Sequence, residues 1–203
     1  STRKESSAAS DVYKRQVLHR ANQQRGMIPA SNMKTLVMLS VLDALPTHHR
    51  FVTTVSSPTP GTIVLRGGGD PYLRSVPDPR HRDHATLQQL AKKTATVLKK
   101  QGRTRVRLGY DASLFVGPDW APTWPEGYRS QVTPIQALMA NGGRPLGKDG
   151  KPGEGPRSQA PAKDAAGIFV AQLKAQGISV QGAPSPAKAC LLYTSDAADD
   201  SLR

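Results

Sequence analysis

The chain has 203 residues, of which 28 are Lys or Arg and 15 are Asp or Glu, giving a formal net charge of +13. Such a basic excess favours anionic partners or surfaces, but aromatics are only 5% of residues, too few for a base-stacking platform. Cys190 is the single cysteine, which excludes an internal disulfide framework and Cys-ligated metal, and no apolar run approaches membrane-spanning length.

In chain order, 17–20 reads as the end of a strand and 22–26 as a turn. Met33, Leu36, Val37, Val41, Leu42 and Leu45 recur near helical spacing and predict a helix over 31–45. Ser31 stands where an N-cap belongs, and Pro46 stops the run. The β-branched runs 51–55 and 62–65, joined across Pro60-Gly61, suggest a hairpin. Gly67-Gly68-Gly69-Asp70-Pro71 reads as a sharp loop. The clearest helix is 85–101: Leu87, Leu90, Ala91, Ala95 and Leu98 line one face, lysines line the other, and Gly102 closes it. Val106, Leu108 and Tyr110 alternate as a strand. The same grammar returns in a helix over 164–176, ended by Gly177, and a strand over 178–180. Two helix–Gly–strand units point to an α/β arrangement. Residues 142–162, rich in Gly, Pro and Lys, read as a flexible surface loop.

The two ends have a different character. One DNA stretch can encode residues 1–16 on one strand and, on its reverse complement in a shifted frame, residues 190–203 without a mismatch. Both ends therefore read as a translated library adapter, to be set aside before fold reasoning. The native piece would be 17–189 at most, an internal part of a longer gene. Trimming removes equal numbers of each charge and leaves +13. Unselected ends of this kind are expected to make few long-range contacts.

Ser31-Asn32-Met33-Lys34 is an S-x-x-K sequence opening a helix. One turn places the hydroxyl and the amine side by side. Serine is a weak nucleophile until a neighbouring base takes its proton. A lysine can be that base once burial or a nearby cation lowers its pKa. The free backbone N–H groups of a helix N-terminus can help hold an oxyanion. The motif alone carries little weight, since a chain of this size holds on the order of one by chance. Ser185-Pro186-Ala187-Lys188 is such a decoy: it lies between prolines with no helix to follow.

Context separates the two. Pro29-Ala30-Ser31-Asn32-Met33-Lys34 is followed by the strand Phe51-Val52-Thr53-Thr54-Val55, then by Leu65-Arg66-Gly67-Gly68-Gly69-Asp70-Pro71-Tyr72-Leu73. Asp111-Ala112-Ser113-Leu114-Phe115 and Val132-Thr133-Pro134-Ile135-Gln136-Ala137-Leu138 come next. In this order and spacing the chain resembles the low-molecular-mass class C penicillin-binding proteins, the D-alanyl-D-alanine carboxypeptidase/endopeptidases. The resemblance covers essentially all of 17–189.

It implies an α/β (α+β) fold: an incomplete penicillin-binding transpeptidase-like core over 17–58, and an inserted α/β domain over 59–189. It also implies an exported, extracytoplasmic serine enzyme acting on peptidoglycan stem peptides and acylated by beta-lactams. Ser31 would be the nucleophile and Lys34 its base, with no cofactor and no metal. Asp111 would read a substrate ammonium, although its residue type and position suit a loop-capping carboxylate better. The family's other catalytic motifs, S-x-N and K-T-G, are absent from the native piece, so this chain by itself is expected to be inactive. Two rival readings remain: a non-catalytic wall-binding protein of the same fold, and a basic nucleic-acid-binding module. Neither is preferred, and no nucleic-acid partner is expected.

Other residues read as structural. No Lys-Ser/Thr follows Gly67-Gly68-Gly69, so a phosphate loop is unsupported. His48, His49, His81 and His84 read as solvated loop residues, and Trp120 and Trp124 as packing residues.

Overall fold

The computed structural model describes residues 7–10, 16–22, 24–147 and 150–189. It divides into two compact units, Ser1–Arg50 and Phe51–Arg203.

In the first unit β1 (Ser7–Ser10) pairs antiparallel with β2 (Val17–Ala21). Sequence reading placed Ser7–Ser10 in the adapter and expected few contacts there, whereas these residues form a ladder. A lone two-stranded ribbon is marginal in water. The decoded helix is also present, but it starts later than expected. A 3-10 turn, Ala30–Asn32, leads into α1 (Met33–Ala44). Asn32 rather than Ser31 is its N-cap residue, and no side chain caps it. The helix is apolar all round, and every residue in it is exposed; Leu36, Met38 and Leu42 are 56%, 63% and 59% accessible. A helix with apolar residues on all sides is stable only when covered on all sides.

The second unit is built on one mixed sheet. β3 (Thr54–Thr59) and β4 (Thr62–Arg66) form the expected hairpin. The strand starts at Thr54, three residues later than the spacing suggests. From β4 the chain passes through α2 (Leu87–Lys100) to β5 (Arg105–Asp111), which lies parallel to β4. It then passes through α3 (Pro161–Ala175) to β6 (Ser179–Val180), parallel to β5. The strand order is β3-β4-β5-β6. A last strand, β7 (Ser185–Pro186), pairs parallel with β5 at Gly109 and Tyr110, beyond the end of β6. These helices and this mixed sheet make the α+β class read from the sequence.

Local chemistry explains the helices. Thr86 is extended and its Oγ1 accepts from the Gln89 N–H at 3.1 Å, satisfying a free donor of the α2 N-terminus. The same hydroxyl donates to Gln89 Oε1 at 3.0 Å, which fixes the Gln89 side chain over the helix start. Gly102, at φ +68°, ends the helix. α3 begins at Pro161, whose missing N–H costs nothing in a first turn. It therefore starts three residues before the sequence reading, inside the stretch read as loop.

The apolar faces of α2 and α3 cover one face of the sheet. Leu87, Leu90, Leu98, Phe169 and Leu173 meet Ile63, Leu65, Val106, Leu108 and Ile178 in a single cluster. Phe169, Leu173 and Leu87 are fully inaccessible. Each such side chain contributes about 1.5–3 kcal/mol by burial. The loop Gly67–Gly69 enters this packing through its backbone: the Gly69 N–H donates to the Ala137 carbonyl at 2.9 Å, and the Gly67 N–H to that of Asp111 at 2.9 Å.

Candidate functional site

Ser31 lies in the 3-10 turn and Lys34 is the second residue of α1. The path from Asn32 (φ −64°) to Met33 (φ −58°) stays helical. A spacing of three along such a path sets both side chains on one side. Both are exposed, and no hydrogen bond joins them among the described residues. Ala30, directly before Ser31, has φ +47°. A non-glycine residue there costs on the order of 1–2 kcal/mol, and such strain collects at functional positions. No signal in the sequence announced it. Ser185 of the decoy motif was expected in irregular structure; it is instead exposed in β7, with no helix carrying Lys188 beside it.

Asp111 closes β5 at 5% exposure. Its Oδ1 accepts from the Ser113 N–H at 2.9 Å and from the Ser113 hydroxyl at 2.7 Å. Its Oδ2 accepts from the Ala189 N–H at 2.8 Å. Burial alone would raise the carboxyl's pKa. The hydrogen bonds from Ala189 and Ser113, with the Arg66 charge, outweigh it and hold the group below the ordinary carboxylate range. Asp111 thus latches the turn after β5 and the segment after β7 onto one point. Two of its three donors belong to Ser113, two residues on, but Ala189 is far away, so only the turn was legible.

A group whose folded pKa is depressed adds stability above its unfolded pKa and loses it as pH falls through the folded value. Asp111→Asn is therefore expected to lower stability by about 2 kcal/mol at pH 7. The gap between the two proteins should begin to narrow near about pH 4, where the unfolded carboxyl starts to protonate, and shrink further as pH falls through the lower folded value. Urea unfolding midpoints at pH 7 and pH 3 check both statements; a gap that stays constant would mean the charge is immaterial.

Near this end of the sheet a groove of about 390 Å³ is lined by Tyr110, Phe115, Asp119, Gln136, Ala160 and Lys163, among others. Trp120 and Trp124 meet edge-to-face at 5.0 Å, and Arg129 lies 4.6 Å above the Trp120 ring while pairing with Glu126. These contacts suit the packing role expected of the tryptophans. The histidines are more engaged than expected: His84 stacks on Tyr72 and His81 and accepts from Arg74 Nε at 3.3 Å. Beside them Asp78 pairs with Arg80 and Arg74 at 3.3 and 3.2 Å. The hydrogen bond from Arg80 holds the Asp78 carboxyl down at about 2.

Comparison with known proteins places this sequence in one class. The D-Ala-D-Ala carboxypeptidase 3 (S13) family matches this chain over residues 2–155, and the chain belongs to that family. The match includes residues read above as adapter and stops before α3. Among individual proteins, the chain is 32% identical to Carboxypeptidase DacB of Mycolicibacterium smegmatis over 166 residues, covering 78% of this chain and 35% of that protein. It is 30% identical to Carboxypeptidase Rv3627c of Mycobacterium tuberculosis over 173 residues, covering 80% of this chain and 36% of that protein. The chain thus spans about a third of the length of these relatives. No helix among the described residues is long and apolar enough to cross a membrane.

Proposed function

We propose that this chain is the nucleophile-bearing part of a serine D-Ala-D-Ala carboxypeptidase that trims peptidoglycan stem peptides outside the cytoplasm. The observation that carries the reading is the placement of Ser31 and Lys34 at the start of one apolar helix, within a chain of the S13 family. The Ser31 hydroxyl attacks the carbonyl between the two D-alanines, and the Lys34 amine takes its proton. The tetrahedral intermediate collapses, the C–N bond breaks, and the leaving D-alanine nitrogen receives a proton. Water then cleaves the acyl-enzyme. A beta-lactam carbonyl takes the place of the peptide in the first step. Asp111 enters this reading as the residue that would meet a substrate ammonium: its three hydrogen bonds use three of a carboxylate's roughly four acceptor sites.

The test is to express the longer gene product that carries this chain and incubate it with a labelled penicillin. Mass spectrometry is expected to find one adduct, on Ser31, and the Ser31→Ala protein is expected to stay unlabelled. An adduct elsewhere, or equal labelling of the variant, would refute the assignment.

A further inference from the structure

The residues behind the basic excess are dispersed along the sequence. Folding gathers a group of them at one end of the second unit. Residues 99–107 hold Lys99, Lys100, Arg103, Arg105 and Arg107. α2 ends in Lys99 and Lys100, and α3 ends in Lys174. The two helix ends meet there: the Lys99 ammonium lies 3.5 Å from where a Cβ on Gly177 would stand. Arg105 and Arg107 begin β5 beside Ser179 of β6 and Thr62 of β4. Val106 and Leu108 face the helices, so Arg105 and Arg107 share the opposite face. Arg103 is held by the Ser57 hydroxyl at 3.1 Å.

Nothing offsets these charges locally. No Asp or Glu occurs in 51–66, 84–110 or 165–189, the segments that build this end. None of the six cations forms an ion pair among the described residues. Lys99, Lys100, Arg105, Arg107 and Lys174 are all exposed. The helix dipoles account for the lysines, since a cation is favoured at a helix C-terminus. They do not account for three arginines on the adjoining loop and strand. Like charges so close repel, which costs stability unless a partner supplies the opposite sign.

We propose that this end of the second unit docks a phosphodiester-linked anionic polymer of the cell wall. Arg105 and Arg107, two residues apart on one strand face, stand about 6.6–7 Å from each other. That separation lets two guanidinium forks engage successive charges of an extended chain. No aromatic side chain occurs in 99–107, so the surface has nothing on which bases would stack. The choice of a wall polymer over nucleic acid rests on the proposed wall-directed activity and on this lack of aromatic side chains.

The experiment uses the 203-residue chain and poly(glycerol phosphate), read by sedimentation or anisotropy. The logarithm of the affinity is expected to fall linearly with the logarithm of salt between about 50 and 200 mM. Arg105→Gln/Arg107→Gln is expected to weaken binding about tenfold at the lower salt. Lys99→Gln/Lys100→Gln, which leaves the strand untouched, should weaken it as well. Arg82→Gln/Lys163→Gln removes the same charge near the other ends of α2 and α3 and should change affinity by less than about twofold. Thermal unfolding of each variant checks that it is folded. Equal losses in the patch and control variants would reduce the effect to net charge and overturn the proposal, as would no binding at low salt. Tighter binding of duplex DNA of matched charge would overturn it too. Labelling of Ser31 by penicillin in the longer product would be unaffected by any of these outcomes, so failure here is distinct from failure of the carboxypeptidase reading.

Discussion

Incubated by itself with a labelled penicillin, the 203-residue chain is expected to yield no adduct at Ser31. In the longer gene product, where an adduct is expected, Lys34→Met should slow its formation by about 10²–10⁴-fold. The two results share one cause. A serine hydroxyl attacks only after a base has taken its proton, and a lysine serves as that base only in a setting that disfavours its charge. Here Lys34 is exposed, and no hydrogen bond joins it to Ser31 among the described residues. Residues 17–189 also carry neither an S-x-N nor a K-T-G motif. Losing even one oxyanion donor typically costs about 3–4 kcal/mol in the barrier. Stoichiometric acylation of the isolated chain would show that the hydroxyl needs no further partners. An unchanged rate in Lys34→Met would remove the lysine from the mechanism.

Gly68→Ala is expected to destabilise the second unit by about 3 kcal/mol or more. A Cβ at Gly68 would be driven into the Val52 carbonyl, and one at Gly67 into the Ala137 carbonyl. Both obstacles are backbone, so no rotamer change relieves them. The same loop donates the Gly67 and Gly69 hydrogen bonds that tie β5 to the Ala137 strand of chain, and displacement would loosen them. Gly167 provides the contrast. It sits inside α3 with nothing within 4 Å of a Cβ, and Gly167→Ala should raise stability by about 0.5–1 kcal/mol. Urea midpoints of the two variants should move in opposite directions. A Gly68→Ala protein as stable as the wild type would mean that the loop can shift freely.

What could be read without coordinates was whatever a periodic stripe or a local turn rule records. The α2 face of Leu87, Leu90, Ala91 and Leu98 recurs at helical spacing, and its burial follows the stripe. The β3–β4 hairpin was marked by Pro60-Gly61 between β-branched runs. The opening of α3 was hidden because Pro161 closes a stretch rich in Gly and Pro, and composition there outvoted the permissiveness of a first turn. β7 was hidden because two residues, one of them proline, carry no periodicity; its pairing is dictated by β5. Ser31 and Lys34 were legible as a motif. The left-handed backbone at Ala30 was not, since alanine gives no warning of it. The cationic end was dispersed in sequence because its members come from α2, β5 and α3, and only the sheet brings them together.

The register of the sheet places two distant points of the chain side by side. Thr54, at the head of β3, lies opposite Arg66, and Arg66 lies beside Asp111. Asp111 in turn holds Ala189. The segments that lead into β3 and out of β7 therefore lie within the width of three strands. A module with neighbouring ends can be spliced into a host scaffold without prying that scaffold apart. It could equally be lifted out, its ends closed by a short linker, and still carry its own apolar centre. The Asp111–Ala189 bond holds the segment after β7 at the end of β5.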